Sequence, residues 1–256
     1  MNPTPPTPGW ADAELTSPHT HAEKAGKVRG MFTAIAVSYD LNNRLHSLWQ
    51  DVRWRNFAVK QAQVKPGEVV LDVACGTGDL TQAFAQTPAS KVTGLDFTPA
   101  MLDQARIKQH SLPAQSAAKV TYIEGDAMAL PLPDASTDVV SIAFGIRNVT
   151  DSARALREFA RVLRPGGRLV VLEFERPKNP VVRWFNDAYC GQVMPRTATL
   201  ISGDKSGAYK YLPKSVATYV TREQMLKNLA DVGFVNAQAW PLSLGICVCY
   251  RALKAP

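Results

Sequence analysis

The sequence predicts an α/β protein with a doubly wound, mostly parallel sheet. Short apolar segments rich in β-branched residues alternate with helical segments between residues 69 and 174. Glycines or acidic residues follow several of the apolar segments directly, which is typical of the ligand-binding carboxyl edge of such a sheet. With 256 residues, 46% of them hydrophobic, the chain is long enough to bury the core of one large domain.

The first strand and the turn after it organise the rest of the chain. Residues 69–81 read VVLDVACGTGDLT, which indicates a buried strand, a turn at Gly76, Thr77 and Gly78, and a helix that begins near Asp79. Glycine permits positive φ angles and lets a ligand approach the backbone closely. We therefore expect a nucleotide-like cofactor at this turn.

The segments that follow continue the alternation of strands and helices. Further parallel strands are expected over residues 91–95, 120–123, 138–144 and 168–174. Helices are expected over residues 99–110 and 152–163, the first of them started by Thr98 and Pro99. The chain should close with a helix over residues 222–231 and strands over residues 234–240 and 244–252.

Three segments lie outside this alternation. Residues 1–24 are rich in proline and poor in large apolar side chains, so we expect a disordered tail. Residues 25–64 predict an N-terminal helical cap, whose second helix runs from about residue 41 to residue 62. The aromatic-rich residues 175–219 form an insertion after the fifth strand, and its length favours a substrate-side lid or wall. We expect a single domain over residues 25–256.

Charge and cysteine content restrict the partners and the compartment. Lys and Arg exceed Asp and Glu by 7, 29 against 22, but the excess is spread along the chain, so no nucleic-acid partner is expected. Contact with an anionic membrane and a homodimer are left open. The four cysteines show no framework spacing, and no signal peptide or membrane span is evident. We expect a cytoplasmic protein, with peripheral contact at the inner face of a membrane left open.

Two kinds of cofactor compete for the glycine turn. A dinucleotide fingerprint requires a third glycine, but Thr81 occupies that position, and Asp72 inside the strand also departs from the pattern. S-adenosyl-L-methionine has no pyrophosphate to bind, and acids would favour its sulfonium charge. Asp96 follows the second strand, where its carboxylate can accept ribose hydroxyls, and Asp126 and Ala127 follow the third, near the expected adenine edge. These residues favour S-adenosylmethionine.

Several motifs resemble those of known enzymes. VVLDVACGTGDLT, LDFTPAML and EGDAMALPLPDASTD resemble the nucleotide-side motifs of class I S-adenosylmethionine-dependent methyltransferases. FTAIAVSYDLNN, AFGIRNVTD, RVLRPGGRLVVLEF, DAYCGQVMPR and SGAYKYLPKSV are similar to segments of the menaquinone/ubiquinone biosynthesis C-methyltransferases. This resemblance covers about residues 25–254. It implies a seven-stranded class I methyltransferase sheet with an antiparallel last strand, and methylation of a ring carbon in a polyprenylated quinol.

The same resemblance assigns roles to individual residues. It implies that Thr77, Asp96, Asp126 and Ala127 contact S-adenosylmethionine, while Gly76 and Gly78 shape the loop. Ala143 stands where some members have serine, so a side-chain hydrogen bond to the cofactor is not expected there.

For the chemistry, the resemblance indicates Arg147 as the residue that promotes deprotonation of the ring hydroxyl. Arginine does not readily lose a proton, so we expect it to stabilise the phenolate or to orient a water molecule. Tyr39 would supply a hydroxyl to the substrate, and Asn148 is an alternative group for positioning the substrate oxygen. No metal is required.

The insertion suits an apolar substrate. Its aromatic residues and one methionine predict a groove for an isoprenoid tail, formed by Tyr189, Met194, Tyr209 and Tyr211. Its cations are placed to meet anionic headgroups, namely Arg196, Lys205, Lys210 and Lys214. The favoured substrate is demethylmenaquinol, with a methoxy-polyprenyl-benzoquinol as the alternative. An RNA methyltransferase, a non-catalytic cofactor-binding module and a nicotinamide dehydrogenase are more distant alternatives.

Overall fold

Seven strands form one sheet in the computed structural model, which describes residues 10–11, 13–204 and 206–256. In chain order the strands are β1 (Val69–Val73), β2 (Lys91–Asp96), β3 (Val120–Glu124), β4 (Thr137–Ala143), β5 (Leu163–Phe174), β6 (Phe234–Leu242) and β7 (Cys247–Lys254). The spatial order is β3-β2-β1-β4-β5-β7-β6. Strands β1 to β5 pair in parallel, while β7 is antiparallel to both β5 and β6. The predicted doubly wound sheet with an antiparallel last strand is confirmed.

The sheet order reverses beside β1. From β1 the chain first extends the sheet through β2 to β3, and it then returns to place β4 on the other side of β1. In open α/β sheets the loops after two such strands part and leave a crevice at their carboxyl ends. The glycine turn after β1 therefore lies at the place where this fold binds ligands.

Helices pack on both faces of the sheet. They are α1 (Lys24–Ile35), α2 (Tyr39–Ser47), α3 (Gln50–Ala62), α4 (Asp79–Ala85), α5 (Pro99–Gln109), α6 (Ala114–Ala117), α7 (Ser152–Val162), α8 (Pro180–Ala188), α9 (Met194–Ser202), α10 (Ala208–Ala217) and α11 (Arg222–Asp231). Buried side chains of α7 and α11 cover one face of the sheet, and those of α3, α4 and α5 cover the other. Apolar burial on both faces explains why the strands are nearly continuous hydrophobic runs.

The cap differs from the expectation of one long second helix. Leu48 and Trp49 adopt left-handed backbone conformations, with φ angles of 51° and 60°, and separate α2 from α3. The apolar pattern continues across this break, so periodicity alone does not reveal it. Trp54 and Ala58 of α3 pack in the core beside the sheet, whereas α2 turns away over the glycine turn. Tertiary contacts thus outweigh the local helical pattern.

The N-terminal segment also differs from the expected disordered tail. Trp10 is buried and stacks on Tyr211 of α10 with ring centroids 4.8 Å apart, and its backbone N–H donates to the carbonyl oxygen of Ser206. Leu15 is buried in the same cluster. These two side chains bury enough apolar surface to order the segment, although its overall composition is poor in large apolar residues. The rest of the expected tail, residues 1–9 and Asp12, lies outside the described residues, as does Lys205.

Candidate active site

Two cavities meet at the carboxyl edge of the sheet. The first is lined by the glycine turn and by the turns that follow β2, β3 and β4. The second has a volume of about 650 Å³ and lies between the cap helices and the insertion. Phe32, Tyr39 and Phe144 line both cavities. A molecule in the first cavity can therefore meet a molecule in the second beside these three rings.

Four of the six predicted cofactor-binding residues line the first cavity, namely Gly76, Asp96, Asp126 and Ala127. Gly76 has a φ angle of +55°, and a Cβ atom added there would meet nothing within 4 Å. The backbone at this turn is therefore open to a ligand, which can approach more closely than any side chain would permit.

Gly78 has a different reason to be glycine. It precedes α4 with a φ angle of +82°, and an added Cβ atom would collide with the hydroxyl of Tyr122. Neither Gly78 nor Thr77 lines the first cavity. The structure therefore gives Gly78 a packing role beside the site.

Asp96 sits at the end of β2 with both carboxylate oxygens engaged. The backbone N–H groups of Gly76 and Thr98 donate to them at 2.8 Å each. Burial raises the pKa of Asp96 above its ordinary value, although these N–H donors oppose the shift. Each carboxylate oxygen has a further lone pair, so Asp96 can still accept hydrogen bonds from a pair of ligand hydroxyls.

Asp126 is more open than Asp96. Its side chain is exposed, and one oxygen accepts from the N–H of Met128 at 2.8 Å, which holds the turn after β3. Ala127 beside it is buried against the core. The two acids and the open backbone of Gly76 form a polar wall that fits an adenosine group carrying a positive charge nearby.

The side chain of Thr77 is used within the protein. Its hydroxyl donates to Asp40 at 2.6 Å, and the second oxygen of Asp40 accepts from Lys108 at 2.6 Å. Thr77 is 2% exposed. The hydroxyl therefore joins the glycine turn to the first residues of α2, a function that spacing in the sequence did not indicate.

Further ion pairs extend this connection. Arg44 of α2 pairs with Asp79 of α4 at 2.6 Å, and Arg55 of α3 pairs with Asp51 at 2.6 Å. Lys108 also pairs with Asp79. Burial alone would raise the pKa of Asp79, but Arg55 and Lys108 lower it to about 2. The cap is thus tied to the cofactor side of the sheet by paired, partly buried charges.

Arg147 follows β4 in a short 3-10 turn, Ile146–Asn148, and lines the second cavity. Its guanidinium donates to Glu173 at 2.6 Å, to the carbonyl oxygen of Phe144 at 2.9 Å and to the hydroxyl of Ser215 at 3.2 Å. Burial disfavours the charge, but Glu173 raises the pKa of Arg147 above its ordinary value. Arg147 is therefore a fixed, permanently charged group.

Asn148 and Tyr39 complete the expected catalytic set. Asn148 lines the first cavity, donates to the carbonyl oxygen of Phe144 at 3.2 Å and accepts from the hydroxyl of Tyr211 at 3.0 Å. Burial raises the pKa of Tyr39, so this residue remains a neutral phenol near pH 7. Tyr39 lines both cavities, Arg147 lines the second and Asn148 lines the first. Arg147 and Asn148 both donate to the carbonyl oxygen of Phe144, a residue that the two cavities share.

The second cavity is mainly apolar. All four residues expected to form the isoprenoid groove line it, namely Tyr189, Met194, Tyr209 and Tyr211. Its wall also includes Trp54 and Phe174, which the sequence did not single out. An apolar cavity of this size accommodates a bulky hydrophobic ligand.

The sheet order and the cavity at its carboxyl edge define the class I S-adenosylmethionine-dependent methyltransferase fold. Solved structures share this fold: an S-adenosylmethionine-dependent methyltransferase from Aquifex aeolicus superposes with a TM-score of 0.57 at 18% identity, over 78% of this chain and 89% of that one. The [4+2]-cyclase SpnF superposes with a TM-score of 0.58 at 19% identity, over 79% and 80% of the two chains.

The profile of the ubiE/COQ5 methyltransferase family matches residues 20–254, and the chain belongs to this family. It is 38% identical over 235 residues to the ubiquinone/menaquinone biosynthesis C-methyltransferase UbiE of Hahella chejuensis, covering 91% of this chain and 93% of that protein. It is 40% identical to the proteins of the same name from Roseobacter denitrificans and Geotalea daltonii, over 91% of this chain and 92% and 98% of theirs. S-adenosylmethionine is the cofactor that this family implies.

Proposed function

We propose that this protein transfers a methyl group from S-adenosylmethionine to a ring carbon of a polyprenylated quinol. The favoured substrate is demethylmenaquinol, which would become menaquinol; the alternative is 2-methoxy-6-polyprenyl-1,4-benzoquinol. One observation carries the proposal: a cavity at the glycine turn that includes Asp96 and Asp126, and an apolar cavity of about 650 Å³, share Phe32, Tyr39 and Phe144. The names of the relatives support the same reaction class.

The residues of the first cavity fit the methyl donor. When bound, S-adenosylmethionine supplies an electrophilic methyl group on a positively charged sulfur. Asp96 would accept ribose hydroxyls, and the open backbone at Gly76 would let the donor lie close to the turn. Asp126 and Ala127 would face the adenine. Phe144, shared by both cavities, would help to exclude water from the reacting carbon.

The residues at the junction suit activation of a quinol ring. Removing the proton from a ring hydroxyl makes the neighbouring carbon more nucleophilic, and the charged Arg147 would stabilise the resulting phenolate or orient the water that receives the proton. Tyr39 stays protonated and would donate a hydrogen bond to a quinol oxygen. Asn148 would hold the same oxygen in place. The C–CH₃ bond would form as the methyl–sulfur bond breaks, with S-adenosylhomocysteine as the leaving group. The methylated ring carbon would then lose its proton to water, which restores aromaticity.

We also propose that an apolar rim contacts a lipid bilayer. The rim consists of Leu48, Trp49, Trp184, Phe185 and Leu244, each more than half exposed. Leu48, Phe185 and Leu244 also line the second cavity, so this cavity opens beside the rim. Large exposed apolar groups of this kind mark interaction surfaces. Within the described residues no helix is both long and apolar enough to cross a membrane, so the contact would be peripheral.

Parallel methylation assays test the choice of substrate. The protein is incubated with methyl-labelled S-adenosylmethionine and either reduced demethylmenaquinone or a reduced methoxy-polyprenyl-benzoquinone. We expect label in the naphthoquinol product at the higher kcat/KM. Faster labelling of the benzoquinol would reverse the preference, and labelling of neither, with cofactor binding intact, would leave a binding module as the better description.

A further inference from the structure

Lys24, the first residue of α1, lies deep inside the protein. It is 1% exposed, and its ammonium donates to the carbonyl oxygens of Arg147 at 3.0 Å and Val149 at 2.8 Å. These two carbonyls flank Asn148. One buried cation from the cap therefore holds the second half of the short turn that carries Arg147 and Asn148.

The surroundings of Lys24 are unusual for a structural lysine. Over the described ranges, 10–11, 13–204 and 206–256, no carboxylate forms an ion pair with it. The guanidinium of Arg147 is a neighbouring like charge, and burial together with that charge lowers the pKa of Lys24 to about 8. A buried charge without a carboxylate partner costs stability. A cost of this kind indicates a functional reason for the lysine.

The opposite side of the turn is held by α10. Tyr211 donates its hydroxyl to Asn148 at 3.0 Å, and the hydroxyl of Ser215 accepts from Arg147 at 3.2 Å. The side chains of Arg147 and Asn148 are thus held from the insertion. Glu173 of β5 also accepts from the guanidinium of Arg147 at 2.6 Å and from its backbone N–H at 3.3 Å, while Lys24 of α1 holds the backbone carbonyls. Lys24 adds contacts to the backbone carbonyls of Arg147 and Val149, which the contacts from α10 and Glu173 do not reach, and so limits movement of the turn as a unit.

We propose that Lys24 is a positioning residue, whose ammonium fixes the turn over residues 146–149 so that Arg147 and Asn148 reach the reacting groups. The role in turnover rests on the proposed methyl transfer, whereas the effect on the turn does not. The chain offers a matched control in Lys27, one turn further along α1. Lys27 is 4% exposed and pairs with Glu14 at 3.0 Å, away from the turn.

The experiment compares Lys24→Met and Lys27→Met in the full chain. In Lys24→Met we expect kcat to fall by about 10- to 100-fold, because small misplacements of catalytic groups are that costly, while the KM for S-adenosylmethionine changes by less than about twofold. Amide hydrogen exchange in peptides over residues 145–150 should be faster in Lys24→Met than in wild type and unchanged in Lys27→Met.

Each outcome has a definite meaning. Unchanged exchange over residues 145–150 in Lys24→Met, or equally faster exchange in both variants, would overturn the proposal. A loss of kcat that only follows the folded fraction, measured by thermal unfolding of the same samples, would overturn it as well. A third outcome is that wild-type protein methylates neither quinol, while amide exchange over residues 145–150 still differs between the two variants. The proposed function would then be wrong, and the role of Lys24 in holding the turn would stand.

Discussion

The hydroxyl of Thr77 donates a hydrogen bond of 2.6 Å to Asp40, and this contact joins the glycine turn after β1 to the helix that begins with Tyr39. The glycine turn beside the first cavity and the cap helix beside the second cavity are therefore held together. Lys108 donates to the other oxygen of Asp40, so the hydroxyl of Thr77 donates to a carboxylate that is also held by a cation.

A double-mutant cycle tests this connection. We expect Thr77→Val and Asp40→Ala each to weaken S-adenosylmethionine binding by about tenfold, because a hydrogen bond to a charged partner contributes about 1.5–3 kcal/mol. The double variant should lose little more than either single variant. Titration calorimetry measures all three. Thr87→Val removes a hydroxyl from the far end of α4 and should bind normally; additive losses at Thr77 and Asp40 would show that the two residues act independently.

The two glycines of the turn should respond differently to alanine. Gly76→Ala places a methyl group in open cavity space, so we expect a marked loss of cofactor affinity and a destabilisation of only about 1 kcal/mol from the positive φ angle. Gly78→Ala drives a methyl group into the hydroxyl of Tyr122, so we expect the larger loss of stability. Calorimetry and urea unfolding separate the two effects. Unchanged cofactor affinity in Gly76→Ala would argue against a ligand beside Gly76.

Arg147 should affect turnover more than cofactor binding. Arg147→Lys keeps the charge but cannot reproduce the three contacts of the guanidinium, and we expect kcat to fall by about 100-fold with S-adenosylmethionine affinity within about twofold. Arg168→Lys is the matched control, because Arg168 is similarly buried and pairs with Glu68, which precedes β1 at the opposite edge of the sheet. If kcat and cofactor affinity fall together in Arg147→Lys, its role is in binding.

The lowered pKa of Asp79 predicts that the free energy of unfolding falls at acidic pH, which is called the acid limb below. Its folded pKa of about 2 lies below the ordinary value of 3.8, so its contribution is complete above about pH 4 and is lost as the pH falls toward 2. The shift corresponds to about 2 kcal/mol. Denaturant unfolding at several pH values should show a shallower acid limb in Asp79→Asn. Asp103→Asn, at an exposed pair with Arg106, should retain the wild-type limb; identical limbs in wild type and Asp79→Asn would contradict the prediction.

The apolar rim predicts binding to vesicles. Trp184 is 66% exposed and does not line the second cavity, so Trp184→Ser should weaken co-sedimentation with anionic vesicles by about tenfold without changing activity on detergent-solubilised quinol. Ile107→Ser, on α5, removes a side chain of similar exposure and should bind like wild type. If wild-type protein does not co-sediment with the vesicles at low salt, the proposed membrane contact is wrong.

The strands and the acids that follow them could be predicted from local patterns. Val69–Val73 is an apolar run that ends in a glycine turn, and Asp96 and Asp126 come at the ends of the next two strands. The apolar pattern of a buried strand and the residues of a turn each occupy only a few consecutive positions, so both can be recognised in the sequence. Parallel strands then bring these ends together at one edge of the sheet.

Contacts between distant segments could not be predicted in this way. Thr77 and Asp40 are 37 positions apart, and neither has neighbours that indicate the other. The break at Leu48 and Trp49 is hidden because apolar residues continue through it. Trp10 is ordered by stacking on Tyr211, a partner from the far end of the chain. In each case the stabilising partner comes from the tertiary structure.

The proposed reaction passes a methyl group from S-adenosylmethionine to a quinol carbon where the two cavities meet. The most direct test is mass spectrometry of the product after wild-type protein is incubated with deuteromethyl S-adenosylmethionine and reduced demethylmenaquinone. We expect a product in which one ring hydrogen is replaced by a deuterated methyl group, with its formation strongly reduced in Arg147→Lys. A deuteromethyl group found on a ring oxygen, or no methylated quinol although the cofactor binds, would contradict it.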